Sequence, residues 1–299
     1  MMRLMVGLGL AAAVLLALSC SGTPTAPSAL PRDLAIQRAD AQSPATASPL
    51  LSVATLNVAH GRGDSLNQLL VSGDSTRRNL NTIGRFLEKQ AIHVAALQEV
   101  DSPSWWSGGF DHTTYLAELA GFPYWAQAAH ASLGVGHYGT AVLSRFPIRQ
   151  ALALDFAPSP PTATKGFTLA EVAWPAGPDR TVILDVISIH MDFSRKSVRR
   201  SQLQELEQVM AQRRNPLVLM GDFNSEGLAE RLLRATENSR RLHTVPLQAG
   251  VHSSYKDKRL DWIIVSGEFE IVDYRTAPEV LSDHRAVLAT LALRQTHKE

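Results

Sequence analysis

The sequence predicts an α+β domain in which two sheets pack face to face with helices on their outer sides. Nine segments of strand length are rich in Val, Ile and Leu with little polar alternation, as strands covered on both faces are. Amphipathic stretches, about four helices in all, fit between them. Several strand-like segments follow one another directly, which excludes a simple alternating barrel and leaves two layers of sheet flanked by helices.

The first strand is "LSVATLNV" (51–58). "TRRNLNTIGRFLEKQ" (76–90) is a helix with Leu80, Ile83, Phe86 and Leu87 on one face and Ser75 as its cap. "IHVAALQEV" (92–100) is the second strand. "DHTTYLAELAG" (111–121) is a helix opened by Asp111 and stopped at Gly121, with Pro123 beyond. Strands "GTAVLSR" (139–145), "FTLAEVAW" (167–174) and "TVILDVISIH" (181–190) follow. A helix over 198–214 places Leu203, Leu206, Val209 and Met210 together, and "PLVLMGD" (216–222), "LDWIIVS" (260–266), "FEIVDYR" (269–275) and "AVLATLAL" (286–293) complete the strands.

Upstream of this domain the chain changes character. "MMRLMVGLGLAAAVLLALSC" has Arg3, then a 15-residue apolar stretch from Leu4 to Leu18 ending at small residues. That length suits a signal-peptide core and is short of the roughly 20 residues of a membrane span. Cys20 is the only cysteine, so no intramolecular disulfide is possible. Its place after "ALS" resembles the cleavage site of bacterial lipoproteins, although Leu18 stands where a small residue is usual; the alternative is an ordinary secretory signal. Residues 1–19 are therefore expected as a signal peptide, 20–49, rich in Pro, Ala and Ser, as a flexible tether, and 50–295 as the folded domain. Within the tether, "DLAIQRA" (33–39) has the makings of one helical turn. The expected location is the bacterial cell envelope, anchored to a membrane through lipid on Cys20.

Composition bounds the function. The chain is 45% hydrophobic and 19% charged, as a globular protein is. Removing residues 1–19 takes away one arginine and no acid, leaving 28 basic and 28 acidic residues. A protein held by non-specific phosphate attraction is usually more basic. The local cluster Arg195/Lys196/Arg199/Arg200 reads first as a solvated helix face, and Lys256/Lys258/Arg259 forms a second.

Nearly every strand ends in polar groups for which a core has no use: Asn57, Gln98–Glu99, His190 with Asp192, and Asp222 with Asn224. Asp261 lies at the head of an apolar run, and Asp283 and His284 precede the last strand. Each alone is explicable as turn chemistry or a satisfied core histidine. Together they are the strand-end ligand site of a layered α/β protein. Oxygen donors such as Glu99 and Asp283, with no cysteine cluster and no HExxH, suit a hard cation such as Mg²⁺ or Mn²⁺. No G-x-S-x-G nucleophile elbow is present. Histidines, carboxylates and a metal fit attack by water on a phosphorus centre.

In order, "TLNVAHG", "LQEVD", "YGTAVLSRFPI", "ISIHMD", "GDFNS", "RLDWIIVS" and "SDHRAVLA" resemble the motifs of the endonuclease/exonuclease/phosphatase superfamily, the DNase-I-like fold, from about Leu51 to Leu293. The resemblance implies a four-layered αββα sandwich. It implies that Asn57, Glu99 and Asp283 hold the metal and that His190 holds or polarises the scissile phosphate. By the same token Asp222 and Asn224 orient the attacking water and the phosphate, and His284 pairs with Asp261. Three positions depart from the family: Thr140 where many members have Asn, Lys165 where nucleolytic members often have Arg, and Trp262 where Tyr is common. Lys165 offers the phosphate a point charge in place of a bidentate fork.

The expectation is an exported, divalent-metal-dependent phosphoesterase, preferring diesters over monoesters and acting as a monomer. Its substrate is a nucleic acid or a phospholipid or sphingolipid headgroup. "SPSWW" (102–106) is either an aromatic substrate contact or packing. The rival class, a non-catalytic surface-binding protein that kept the fold, would show a lost metal or water-orienting residue, and no such loss is visible.

Overall fold

The computed structural model describes residues 30–39, 46–132, 136–248 and 251–295. The signal peptide and Cys20 lie outside them. In chain order the elements are β1 (Arg32–Asp33), β2 (Gln37–Arg38), β3 (Leu50–Asn57), α1 (Gly73–Lys89), β4 (Val94–Asp101), α2 (His112–Ala120), β5 (Tyr124–Ser132), β6 (His137–Ser144) and β7 (Ile148–Asp155). There follow β8 (Gly166–Gly177), β9 (Arg180–His190), α3 (Lys196–Ala211), β10 (Leu217–Asp222), α4 (Glu226–Thr236), β11 (Leu242–His243), β12 (Asp261–Ser266), β13 (Phe269–Thr276) and β14 (Val287–Leu293).

The strands form two seven-stranded sheets, β1-β7-β8-β9-β10-β12-β11 and β13-β14-β3-β4-β6-β5-β2. Both are mixed: β9/β10 and β3/β4 are parallel, their other pairings antiparallel. Three apolar clusters make four layers of this arrangement. One lies between the sheets, with Leu51, Val53, Val186 and Met220. A second packs Ala54 and Leu56 against Leu80, Ile83 and Leu87 of α1. The third packs Ile187 and Leu219 against Leu203 and Leu206 of α3 and Leu232 of α4. Alternate residues of β3 therefore face two different cores, which is why its sequence reads as one apolar run. This is the αββα sandwich expected from the sequence.

Several details differ. The cap of α1 is Ser72, not Ser75; the Ser72 Oγ accepts the Ser75 N–H at 3.3 Å, so the helix begins three residues earlier than the expected start at 76. β5 and β7 were not expected; their alanine-rich sequences carry little strand preference, and pairing with β6 and β8 decides them. The tether expected over 20–49 is docked where it is described. Arg32–Asp33 joins β7 and Gln37–Arg38 joins β5, while Leu34 and Ile36 pack on the inter-sheet core. That alternation has a strand's period of two, so "DLAIQRA" is extended and not a helical turn.

One buried carboxylate ties the segment leading to Lys165 into this frame. Asp192 Oδ1 accepts Ser194 N–H and Arg195 N–H, both at 2.8 Å, and its Oδ2 accepts Thr162 Oγ1–H at 2.6 Å. Burial by itself would raise its pKa, but the hydrogen bonds from Thr162, Arg195 and Ser194 hold it at about 2. Because the folded pKa is depressed, the stabilisation is fully present above the unfolded value near 4 and is lost as pH falls towards 2. Asp192→Asn is expected to cost on the order of 1–2 kcal/mol at neutral pH. Urea unfolding of both proteins at pH 7 and pH 3 checks this, since the difference between them should shrink at the lower pH.

Candidate active site

Strand register gathers the polar strand ends at one edge of the sandwich. Asp222, the last residue of β10, stands opposite His190 on β9 and opposite Asp261 on β12. In the other sheet Asn57 is opposite Gln98, one residue before Glu99. A hydrogen bond from Asn57 Nδ2 to Asp222 Oδ2 (3.2 Å) joins the two sheets. Just beneath, Gln98 Nε2 donates to Ser188 Oγ at 3.1 Å across the same interface. Asp283 and His284 arrive on the loop before β14, which Ser282 fastens by donating to the Asn57 carbonyl at 2.6 Å.

Two backbone features aim these groups. The β4/β6 ladder shifts register between Gln98 and Val100, and Glu99 at the bulge has φ +53°. A bulge leaves one residue unpaired and re-aims its side chain, at a cost of about 1–3 kcal/mol for such a conformation. Gly221, at φ +143°, lets β10 approach β9 so closely that a Cβ would sit 2.0 Å from the Ile189 carbonyl oxygen. Asn224, at φ +50°, is of a type that tolerates this region.

A cleft of about 670 Å³ opens over the site, lined by Asn57, Glu99, His190, Asp222, Asp283 and His284 among others. His284 Nδ1 donates to Asp261 Oδ2 at 2.7 Å. Burial disfavours the charged ring, but the Asp261 charge and hydrogen bond, helped by Asp222 and Asp283, push its pKa up to about 10, so it is an imidazolium at neutral pH. Asp222 accepts Asn224 N–H at Oδ1 (2.8 Å) and the Asn224 amide at Oδ2 (3.2 Å). Burial, with the Asp261 charge adding to it against His284, pushes its pKa up to about 7.

His190 is held neutral, its pKa well below the ordinary value through burial and the Lys165 charge. Lys165 Nζ lies 3.3 Å from His190 Nδ1. An ammonium only donates, so Nδ1 accepts and the ring proton resides on Nε2. Nε2 is 3.6 Å from Asp222 Oδ2 and 3.7 Å from Glu99 Oε1. For Glu99, burial is outweighed by the charges of His60 and Lys165, which hold its carboxyl well below the usual carboxylate range.

Two groupings of polar side chains lie at the cleft. Asp222, Asp261 and His284 bring ligand atoms within 4.8 Å of one another, but a protonated imidazole bound to Asp261 has no lone pair to offer a metal there. The oxygen donors of Asn57, Glu99 and Asp283 fit a hard cation better. Asp283 Oδ1 is buried with no hydrogen-bond partner, while Oδ2 takes Arg62 Nη2 at 2.6 Å.

The nine residues singled out within the domain thus meet in one place, Lys165 included. Thr140 does not reach the cleft; its Oγ1 bonds His130 Nε2 and Thr168 Oγ1, both at 2.9 Å, inside the sandwich. Trp262 is buried beneath Arg259, whose guanidinium lies 3.8 Å from the ring centroid. The basic clusters are split: Arg199 and Arg259 are buried, while Lys196 and Lys258 line the cleft. "SPSWW" is split as well, Trp106 buried and Trp105 exposed.

The sequence pattern overlooked His60, Asp101 and Arg62. The signal for Asp101 was its place two residues after Glu99 in "LQEVD"; His60 and Arg62 sit in "AHGRG", which reads as turn.

The model of the Endonuclease/Exonuclease/phosphatase family matches residues 54–284. The chain belongs to this family. No curated protein matches it. Its fold is similar to that of an endonuclease/exonuclease/phosphatase family protein from Leptotrichia buccalis (18% identity, 81% of this chain and 100% of that one, TM-score 0.61). It is similar too to the human Nocturnin catalytic domain with bound sulfate (16%, 87% and 98%, 0.61) and to a mannosyl-6-phosphatase from Bacteroides thetaiotaomicron (15%, 81% and 100%, 0.55). At these identities the likeness is one of fold. The family's hydrolases act on phosphoesters, and the site described above occupies the edge where its motifs fall.

Proposed function

We propose that this chain is an exported, lipid-anchored phosphodiesterase that depends on a divalent cation and hydrolyses a P–O bond by direct attack of water. The observation that carries the reading is the placement of Asp222 between two imidazoles in opposite protonation states, neutral His190 and charged His284, at 3.6 and 4.0 Å. Groups whose pKa values are driven apart in one cleft mark acid and base assignments.

Asp222, with Asn224 beside it, orients the water and accepts its proton. His190, its proton fixed on Nε2 by Lys165, donates to a non-bridging phosphate oxygen. His284, kept charged by Asp261, faces the negative charge that develops and can return a proton to the leaving oxygen. Asn57, Glu99 and Asp283 would hold Mg²⁺ or Mn²⁺, which supplies polarisation of the phosphoryl oxygen and charge neutralisation.

Diester over monoester is our preference; the phosphatase named among the structural neighbours keeps the monoester as the second reading. Assay of DNA, RNA, sphingomyelin, phosphatidylcholine and inositol phosphates with Mg²⁺ tests the substrate class, and turnover of none of them would count against a diesterase.

Envelope anchoring rests on Cys20 after the apolar run; no helix of the described residues is long and apolar enough to cross a membrane. Cys20→Ser is expected to move the protein out of the membrane fraction and to abolish acyl labelling. A wild type already soluble and unlabelled would make it a plain secreted enzyme.

A further inference from the structure

The end of the sandwich that carries the cleft is rimmed by large apolar side chains that no core uses. The loop 58–72, between β3 and α1, holds Leu66 (97% exposed), Leu69 and Leu70 (81% exposed) in solvent. Its turn at 68–70 lies against the turn at 105–107, where Trp105 is 66% exposed. Both turns are fastened to the end of β4. His60 Nδ1 donates to Asp101 Oδ1 and Trp106 Nε1–H to Asp101 Oδ2, each at 2.7 Å. Arg62 of the same loop bonds Asp283, so this apolar rim belongs to one wall of the cleft. On the other wall Phe193, just after β9, is 63% exposed, with the exposed Lys196 and Lys258 also lining the cleft. None of these apolar residues enters the three cores. Apolar groups gathered in this way mark a docking surface for a protein or a membrane.

The path of the N-terminal segment points to the membrane. β1 runs antiparallel to β7, with Arg32 opposite Ala153 and Arg32 Nε 3.7 Å from Asp155 Oδ2. Asp155 stands opposite Gly166, and Gly166 opposite His190. Leu30, itself exposed, therefore lies at the cleft end, and the chain upstream of it joins the domain there. Cys20 is ten residues before Leu30, and ten residues reach at most roughly 35 Å. An anchor on Cys20 would hold the cleft end, not the far end, towards the lipid.

We propose that the cleft mouth docks on a bilayer, with Leu66, Leu69, Leu70 and Trp105 on one wall and Phe193 on the other entering the headgroup boundary. Trp and Leu beside Lys are the side chains such a boundary takes. A protein seated on both walls would seal the cleft. A bilayer covers both walls and itself presents phosphodiesters to the opening between them. The substrate is then a membrane phospholipid or sphingolipid, not a nucleic acid. This deepens the phosphodiesterase reading above and rests on it for the chemistry, while the docking is measurable apart from both activity and anchoring.

The test places Trp105 relative to the lipid. The other tryptophans, Trp106, Trp125, Trp174 and Trp262, are buried, so quenching by lipid reports Trp105. The full chain is mixed with vesicles of phosphatidylcholine and sphingomyelin carrying bromine on their acyl chains. Tryptophan fluorescence should be quenched in the wild type and not in Trp105→Phe. A triple variant, Leu66→Ser with Leu69→Ser and Leu70→Ser, removes the apolar rim without emptying a core. It should lose the quenching and hydrolyse vesicle lipid at least about tenfold more slowly, because three leucines no longer leave water. Its turnover of bis(p-nitrophenyl) phosphate in solution should match that of the wild type.

Wild-type fluorescence untouched by brominated vesicles overturns the docking, whether or not the protein floats with them through its N-terminus. So does a triple variant as active on vesicles as the wild type. Quenching with no hydrolysis of either substrate keeps the docking and removes the phosphodiesterase reading.

Discussion

Asp222→Asn is expected to slow hydrolysis at least about a hundredfold, because losing a positioned acid–base group typically costs 10²–10⁴-fold in rate. The side chain is buried and its shape is kept, so no cavity forms. What changes is its bonding. Oδ2 now accepts amide N–H groups from both Asn57 and Asn224; an Asn there turns one of its two oxygens into a further donor, which costs about 1–3 kcal/mol if the facing donors stay unpaired. The variant should therefore be somewhat less stable yet folded, with substrate binding largely intact. In the wild type, activity should rise with pH as Asp222 loses the proton that burial holds on it up to about 7, and this limb should vanish in the variant. Turnover within a few-fold of wild type, on whichever phosphoester proves to be the substrate, would reduce Asp222 to a turn former.

Removing the cation is expected to abolish hydrolysis, with Mg²⁺ or Mn²⁺ restoring it. Glu99 is the residue on which this turns. It is the anion beside His60 and Lys165, at 3.4 and 3.9 Å, with neutral His190 at 3.7 Å, and these neighbours hold its carboxyl well below the usual carboxylate range. Glu99→Gln keeps the side-chain volume but withdraws the charge, so metal affinity should fall much further than the melting temperature does. Calorimetric titration beside thermal unfolding separates the two effects. Full activity in excess chelator would remove the cation from the mechanism.

The motif "GDFN" after an apolar run, "SDH" before the last strand and His190 at the end of "VISIH" were legible because they combine two local signals, a strand pattern and a polar end that the strand does not need. Those signals, summed over the chain, determined the two-sheet architecture, the three clearest helices and nine residues of the candidate site. β5 and β7 were not legible, because alanine-rich strands owe their conformation to neighbours far along the chain. The fourth helix was counted but not located. "DLAIQRA" is extended and not a helical turn; its seven residues carry too little periodicity to distinguish one turn from two short edge strands.

Tertiary structure decided the rest. The bulge that turns Glu99 toward the cleft appears only in the register of β4 against β6. Arg62 is a turn residue in sequence; its partner Asp283 lies 221 positions away. His60 looks like one more polar residue before a glycine until the folding of β3 beside β4 sets it against Glu99 and Asp101. Backbone propensity and side-chain period act over a few residues, so a single sequence records them. Which imidazole meets which carboxylate depends on strand register and loop closure across tens to hundreds of residues, and on how burial then weights each charge; only the folded chain brings those terms together.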